Sequence, residues 1–404
     1  MMEWKECVAS EFCLKVTDGT HDSPKPKEKG HYLITSKHIG KGNIDYSTAN
    51  FISDEDYQKV LKRSSVEQFD ILFSMIGTIG NIYRETSPTI DYAVKNMGIF
   101  KMGCDEEKSQ WMYYWLQSPK AKKYIFERLA GSTQSYLTLD SLRNFPIVYP
   151  SDKQDMKRIV SILSCLDRKI ELNNKINAQL EEMAQAIFKS WFVDFEPFKD
   201  GKFVESELGM IPEGWRVGTL DEIASFISRG ITPKYHIDTN EWILGQTCVR
   251  NNIVTLNNAR THLPKSKGPK WVRQWDILVN STGIGSLGRV GIVYFDKNNV
   301  AFDSHLTVVR VDKKDYQFYV GRNLLSRQSE IENMAIGSTG QTELPRDSVK
   351  SMKILIPKTE SLQKYNSIIE PLCLKMYKNI EESLHLSQLR DTLLPKLMNG
   401  EIEI

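Results

Sequence analysis

No apolar run in the 404-residue sequence approaches the ~18 residues that a membrane-spanning helix needs. The opening Met1-Met2-Glu3-Trp4-Lys5 lacks the apolar core of a secretory signal, so a cytoplasmic chain with no membrane partner is expected. Cysteines are few and scattered. Cys7, Cys13, Cys104, Cys165, Cys248 and Cys373 form no C-x-x-C pair and have no histidine at zinc spacing. That leaves reduced thiols, mostly in the core, and no metal site. A one-sided charge is also missing: 53 basic side chains against 51 acidic ones give a net charge of +2. Binding to a polyanion therefore cannot be argued from the total and has to come from local patches.

Catalytic signatures are absent as well. The sequence has no G-x-x-x-x-G-K-[ST] phosphate loop, no G-x-S-x-G elbow, no histidine pair at zinc-helix spacing and no Asn- or Asp-Pro-Pro-aromatic tetrad. Its carboxylates are plentiful, but none stands apart from a solvated face. A non-catalytic chain is expected, with no cofactor of its own. One motif invites a mistake. Gly283-Ile284-Gly285-Ser286-Leu287-Gly288 is a literal G-x-G-x-x-G. A dinucleotide site needs a helix to open there, whereas Arg289-Val290-Gly291-Ile292-Val293-Tyr294-Phe295 reads as a strand. A glycine-rich β-turn is the expectation.

What the sequence does contain is a repeat. Asp70-Ile71-Leu72-Phe73-Ser74-Met75-Ile76-Gly77 resembles Asp276-Ile277-Leu278-Val279-Asn280-Ser281-Thr282-Gly283. Gly131-Ser132-Thr133-Gln134 and Gly337-Ser338-Thr339-Gly340-Gln341 keep the same offset of 206, and Trp4-Lys5 loosely matches Trp215-Arg216. Each half ends its β-rich part on a strand-like run closed by proline, at Pro150 and Pro357, and then turns into a long helical pattern. Several independent segments in one register mark a duplication. At this length two or more domains are required in any case. The expected organisation is a globular unit at 1–150, a helix at 151–197, a linker at 198–212 rich in Gly and Pro, a second unit at 213–357 and a second helix at 358–404. Residues 111–129 read as the clearest helix inside a unit.

The first long helix carries a seam at Ile159, Leu163, Leu166, Ile170, Asn173, Asn177, Leu180, Ala184, Ile187 and Trp191, spaced alternately by four and three. In the second half the same positions are Tyr365, Ile369, Leu372, Met376, Asn379, Ser383, Leu386, Arg390, Leu393 and Leu397. Each helix alone would expose an apolar stripe, so the two should pack together. The fold class expected is α+β. Two similar mixed α/β units are separated by two long helices packed as an antiparallel coiled coil, a pseudo-two-fold repeat. The alternative is two amphipathic helices that each pack on an unrelated domain. Arg390 and Pro371 depart from the pattern, and Pro371 should mark a first turn or a kink.

Polar candidates lie on loops. Arg260, Lys265, Lys267, Lys270 and Arg273, with Trp271 and Trp275, form a basic stretch without an acid. It reads either as phosphate-neutralising, with an indole resting on sugar or base, or as an ordinary solvated loop. Lys25, Lys27, Lys29, Lys37, His38 and Lys41 are the less clean counterpart in the first half. Arg229, Arg250, Arg289 and Gln246 are candidates for direct base reading, because Arg pairs with guanine and Gln with adenine through two hydrogen bonds. Ser132, Thr133 and Gln134, and likewise Ser338, Thr339 and Gln341, either aim backbone N–H groups at phosphate or only turn the chain.

Two globular units, each followed by a long helix, resemble the specificity subunits of Type I restriction–modification systems. The resemblance covers essentially the whole chain. It rests on the Leu-Gly-x-Ile-Pro-x-Gly-Trp segment within 205–215, the Asp-Ile-Leu runs, the Gly-Ser-Thr turns and the helix 159–191 that runs into Trp191-Phe192-Val193-Asp194-Phe195. It implies two target recognition domains on an antiparallel helical spacer, with double-stranded DNA as ligand. Two methyltransferase (modification) subunits and two restriction/translocation subunits are the implied partners, and S-adenosylmethionine, ATP and Mg2+ belong to them. The wide divergence of the halves implies an asymmetric bipartite target. The alternatives are a stand-alone bipartite DNA-binding regulator and an uncharacterised enzyme using the cleft between the two units.

Overall fold

The computed structural model describes residues 2–40, 42–131, 135–263, 268–337 and 342–402. The chain falls into two compact units, one of residues 1–169 with 386–404 and one of residues 170–385. Among the described residues, no helix is long and apolar enough to cross a membrane.

In the first unit an antiparallel ribbon, Trp4–Val8 with Pro146–Pro150, brings the chain's entry beside its exit, Trp4 opposite Pro150. Between them lies a four-stranded antiparallel sheet in the order Lys15–Asp18, Met97–Lys101, Ile71–Ser74, Ile82–Arg84. Ile71–Ser74 is buried at every residue, which is why it reads as an unbroken apolar run and not as an alternation. Asp70, just before it, is fully buried. Its carboxylate holds Lys101 Nζ at 2.8 Å and accepts the N–H groups of Glu67 and Met102. A second sheet orders Asn50–Ile52, His31–Ile34 and Tyr92–Val94, the last two parallel. Trp111, Met112 and Trp115 pack with Ile159 and Leu163 of one long helix and Leu394, Leu397 and Met398 of the other.

The second unit repeats this plan. Arg216–Thr219 pairs with Lys353–Ile356, Arg216 opposite Ile356. A sheet runs Phe226–Arg229, Leu306–Arg310, Ile277–Asn280, Val290–Val293, and here it continues into Ile253–Val254 and Val249–Arg250. Arg260–Thr261, Trp242–Leu244 and Val300–Phe302 form the three-stranded sheet, again with its last pair parallel. Asp276 is buried like Asp70 and takes Arg310 through two hydrogen bonds of 2.7 and 2.6 Å. The buried carboxylate with a cation from the neighbouring strand is thus common to both repeats. The glycine-rich run forms the turn between Ile277–Asn280 and Val290–Val293, an antiparallel pair, with φ of 99°, 71° and 83° at Gly283, Gly285 and Gly288. No helix opens there.

Three expectations need correction. Residues 111–129 are not one helix but parts of two, Glu106–Trp115 and Pro119–Glu127. Ser118 caps the second by accepting the Ala121 N–H, and Pro119 takes its first turn, where a missing N–H costs nothing. The segment 198–212 is not a bare linker. Phe203–Ser206 and Gly209–Pro212 form a hairpin whose Ile211 is buried in the core that also holds Phe192 and Trp215. Pro371 lies on the exposed side, well inside the second long helix and not in its first turn. Of the cysteines, Cys13, Cys248 and Cys373 are buried, Cys7 is half-buried, and Cys104 and Cys165 are exposed.

The long helices span Lys153–Phe192 and Thr359–Met398. Within the second unit they run antiparallel: Asn173 Nδ2 donates to Ser383 Oγ (3.2 Å), while Asn177 Nδ2 donates to the Met376 carbonyl (3.3 Å). Asn379 Nδ2 in turn donates to Asn177 Oδ1 at 2.8 Å. Buried asparagines in such a seam fix register at some cost in stability. Ile369 and Met376 are buried around them, with Ile170, Leu180, Ile187 and Leu372 half-buried. In the first unit Leu166, Leu386 and Leu393 are half-buried, and Arg390 explains its departure from the apolar pattern. Its guanidinium donates to Asp167 at 2.7 Å, and the same carboxylate accepts the Tyr114 hydroxyl at 2.7 Å.

His31 ties the helix Asp54–Ser64 to the first unit. Its ring stacks on Tyr57, with centroids 3.8 Å apart, and its nitrogens face Asp54 (2.9 Å) and Asp91. Burial alone would lower the imidazole pKa, but the two carboxylates raise it above 6.5. A raised folded-state pKa means that the stabilisation is complete below 6.5 and is lost as pH rises through the higher folded value. An NMR titration of His31 is expected to give a midpoint above 6.5; a midpoint at or below it would contradict the clamp.

Candidate nucleic-acid interface

Each repeat opens a cleft across one face of its three-stranded sheet. In the first, Ser23, Lys25, Leu33, Thr35, Lys37, Asn50 and Lys95 line it. In the second, Tyr235, Ile243, Gly245, Gln246, Thr247, Asn258, Arg260, Asp303 and His305 do. The two are the same place in the fold. The Lys95 N–H donates to the Ile34 carbonyl at 2.8 Å, and the Asp303 N–H donates to the Leu244 carbonyl at 2.9 Å. Each residue also makes an isolated parallel bridge, Lys95 to Thr20 and Asp303 to Ile231. Both come directly after the parallel strand of their sheet, so the backbone sets them at one position, and only the side chains differ.

The linings differ in kind. The first cleft gathers the ammonium groups of Lys25, Lys37 and Lys95, the last donating to Ser23 Oγ. Beside Lys37 sits His38, buried, with its Nδ1 accepting the Thr35 N–H at 2.9 Å. Burial and then the Lys37 charge lower its pKa, which keeps it neutral. The second cleft mixes donors and acceptors. Asp303 Oδ1 accepts the His305 N–H at 2.9 Å, and burial raises the carboxyl pKa. A Cβ at Gly245 would stand 3.0 Å from Asp303 Oδ2, so glycine there leaves the carboxylate uncrowded. Arg260 is exposed and lies over the Tyr235 ring, 4.6 Å from its centroid. His305 Nδ1 lies 2.8 Å from Thr282 Oγ1, and Gln246 Nε2 donates to the Thr282 carbonyl and hydroxyl at 2.5 and 2.6 Å.

The sequence candidates divide on this geometry. Lys37 and Gln246 stand in the two clefts at neighbouring positions of the short helical turns Ser36–His38 and Gln246–Cys248. Arg250 is exposed at the hairpin it shares with Ile253. Arg289 is exposed and braces the glycine turn through the Gly285 carbonyl at 2.7 Å. Arg229 spends its guanidinium on the Leu344 and Ser304 carbonyls and on Glu343, and Lys270 donates to the Gly230 carbonyl at 3.2 Å. Trp275 faces inward, its ring 5.4 Å from Tyr294 and 5.2 Å from Phe318. Ser132, Thr133, Gln134, Lys265, Lys267, Ser338, Thr339 and Gln341, together with Lys41, lie outside the described residues. Lys95, Asp303, Asn50, Asn258 and His305 were not singled out from sequence. Extending the repeat alignment would have paired Lys95 with Asp303, but the offset slips by two residues between Asp70 and Lys95, and no motif marks either one.

Two copies of one α+β unit, each packed on segments of the long helices and each opening the same cleft with a lining of its own, make a duplicated recognition protein. A family model described as Type I restriction modification DNA specificity domain matches residues 25–182 and 212–385, and the chain belongs to that family. It is similar to the Type I restriction enzyme MjaIX specificity subunit of Methanocaldococcus jannaschii, 28% identical over 396 residues that cover 90% of this chain and 88% of the relative. The HindI specificity subunit of Haemophilus influenzae is 24% identical over 409 residues, covering 84% of this chain and 88% of its own. In fold, the chain resembles the crystal structure of a Type I restriction–modification S subunit from M. genitalium. That likeness has a TM-score of 0.55 at 15% identity and covers 98% of this chain and 96% of the other.

Proposed function

We propose that this chain is the non-catalytic, DNA-reading subunit of a cytoplasmic Type I restriction–modification complex. Each repeat reads one half-site of an asymmetric, bipartite duplex target. The chain also scaffolds two methyltransferase subunits and two restriction/translocation subunits, which bring S-adenosylmethionine, ATP and Mg2+. The domain limits proposed are those read from sequence, with the recognition units at 1–150 and 213–357. One observation carries the reading: the same cleft recurs in both repeats with unlike linings, cationic in one and mixed in the other. A symmetric target would call for matching linings. Phosphate contacts would position the chain and the cleft side chains would select bases.

The test is a genome-wide map of methylated bases in the host with and without the gene. A methylated motif of two unlike half-sites separated by unread positions is expected, and it should vanish on deletion. A continuous motif, or methylation that survives deletion, would overturn the proposal.

A further inference from the structure

Lys95 and Asp303 occupy one backbone position in the two repeats and carry opposite charge. The equivalence does not depend on aligning sequences. Each closes a parallel strand, donates its N–H to the partner strand's last carbonyl and bridges the residue after a glycine, Gly19 or Gly230, whose own close approach leaves no room for a side chain. The strand frame around them is kept, with Leu33 and Ile243 on the facing strand, while the rim residue paired with each changes from Asn50 to Arg260. A duplicated site in which the framework is kept while a charge is inverted has the form of a selector, because a purely structural residue would have kept its polarity with its framework.

The chemistry of base edges says what each end would take. In the major groove guanine presents two acceptors, N7 and O6, and cytosine presents an amino donor, N4. An ammonium group can only donate, and an ionised carboxylate can only accept. Resting on the reading that each repeat binds duplex DNA, we infer that Lys95 and Asp303 are paired specificity determinants. Lys95 selects an acceptor-rich edge, guanine, in one half-site, and Asp303 selects an amino-bearing edge, cytosine, in the other. Gly245 serves the second choice by leaving Asp303 Oδ2 uncrowded where the first repeat carries Thr35. His305 holds Oδ1 through its backbone N–H at 2.9 Å.

The experiment uses the full chain assembled with its methyltransferase subunits and a duplex library randomised over two windows at varied spacing, with the bound DNA sequenced. Asp303→Asn keeps an acceptor for the His305 N–H and adds a donor on the other side. It is expected to lower the preference for cytosine at one position of one half-site by about tenfold or more and to leave the other half-site unchanged. Lys95→Gln, at a half-exposed residue, is expected to do the same to a guanine in the other half-site. Unchanged base frequencies in a variant that keeps both half-sites would overturn the assignment. If Asp303→Asn binds no duplex, the Lys95→Gln library decides, and an unaltered guanine preference there overturns it. A wild-type library without a two-part motif would instead remove the underlying reading, so the two failures are told apart.

Discussion

Arg322→Ala is expected to destabilise the second unit by about 3–5 kcal/mol, the range found when one member of a buried ion pair is removed. Arg322 is fully buried in the helix Lys314–Ser326. Its guanidinium meets the Glu181 carboxylate, the Tyr294 hydroxyl at 2.7 Å and Cys373 Sγ at 3.4 Å. Glu181 belongs to the first long helix and Cys373 to the second, so one side chain ties both helices to the β-rich part of this unit. Alanine would leave Glu181 with the Asn252 and Gln185 amides, 3.2 and 3.3 Å away and both on the other carboxylate oxygen, and a void where the guanidinium was. Hydrogen exchange along a urea series, read on the amides of residues 216–356, measures the effect. The first unit's amides should be unmoved. A loss below about 1 kcal/mol would show that Glu181 finds water or another partner at little cost. Glu181→Leu combined with Arg322→Met should recover much of the loss, since an apolar pair of similar volume needs no compensating charge.

Exchanging residues 213–357 for the corresponding segment of a relative is expected to replace one half-site completely and leave the other untouched. The cut points sever no strand pairing of the repeat, because Arg216–Thr219 and Lys353–Ile356 pair with each other, and the six-stranded and three-stranded sheets lie wholly between them. The Asp276–Arg310 pair and the Asp303 cleft travel with the segment. What does not travel is the helix side of the repeat's core, including Glu181 and Cys373, the two partners of Arg322 on the long helices. A donor segment without a cation at the Arg322 position would strand that carboxylate, so residue 181 has to be taken from the same relative. Methylated-base mapping of cells carrying the exchange reads the result. A folded hybrid that loses both half-site preferences would show that the repeats do not read independently.

Much of the fold was legible because duplication writes every local signal twice. The buried runs after Asp70 and Asp276 share a register, and Asn173 and Asn379 mark one seam position in both halves. The glycine-rich turn was legible from the residues C-terminal to it, since Arg289-Val290-Gly291-Ile292-Val293 has the composition of a strand. The break at Ser118-Pro119 was written in the sequence too, but an apolar helical periodicity on both sides masked it. The clefts were not legible. They depend on parallel pairing between strands far apart in the chain, His31–Ile34 with Tyr92–Val94 and Trp242–Leu244 with Val300–Phe302, and local pattern carries no information on that. Free charge was not legible either. Arg229 and Lys270 look available in the sequence, and the fold turns both onto backbone carbonyls. The residue type is the same whether a cation faces a ligand or its own chain.

The ribbon that closes the second repeat also sets how the repeat responds to force. Arg216 opposes Ile356, and the next rungs lie further inward. Tension drawn through the segments before and after the repeat would therefore load the outermost rung alone. Because antiparallel hydrogen bonds lie across the strands, the rungs would part singly, as in a zipper, and not in shear together. The repeat is mechanically soft toward a pull along its own chain ends. Resistance to such a pull rests on the side chains that hold the ribbon from the helix beside it, the Tyr319 hydroxyl on the Leu355 carbonyl at 2.8 Å and Arg327 on the Lys353 carbonyl at 2.7 Å.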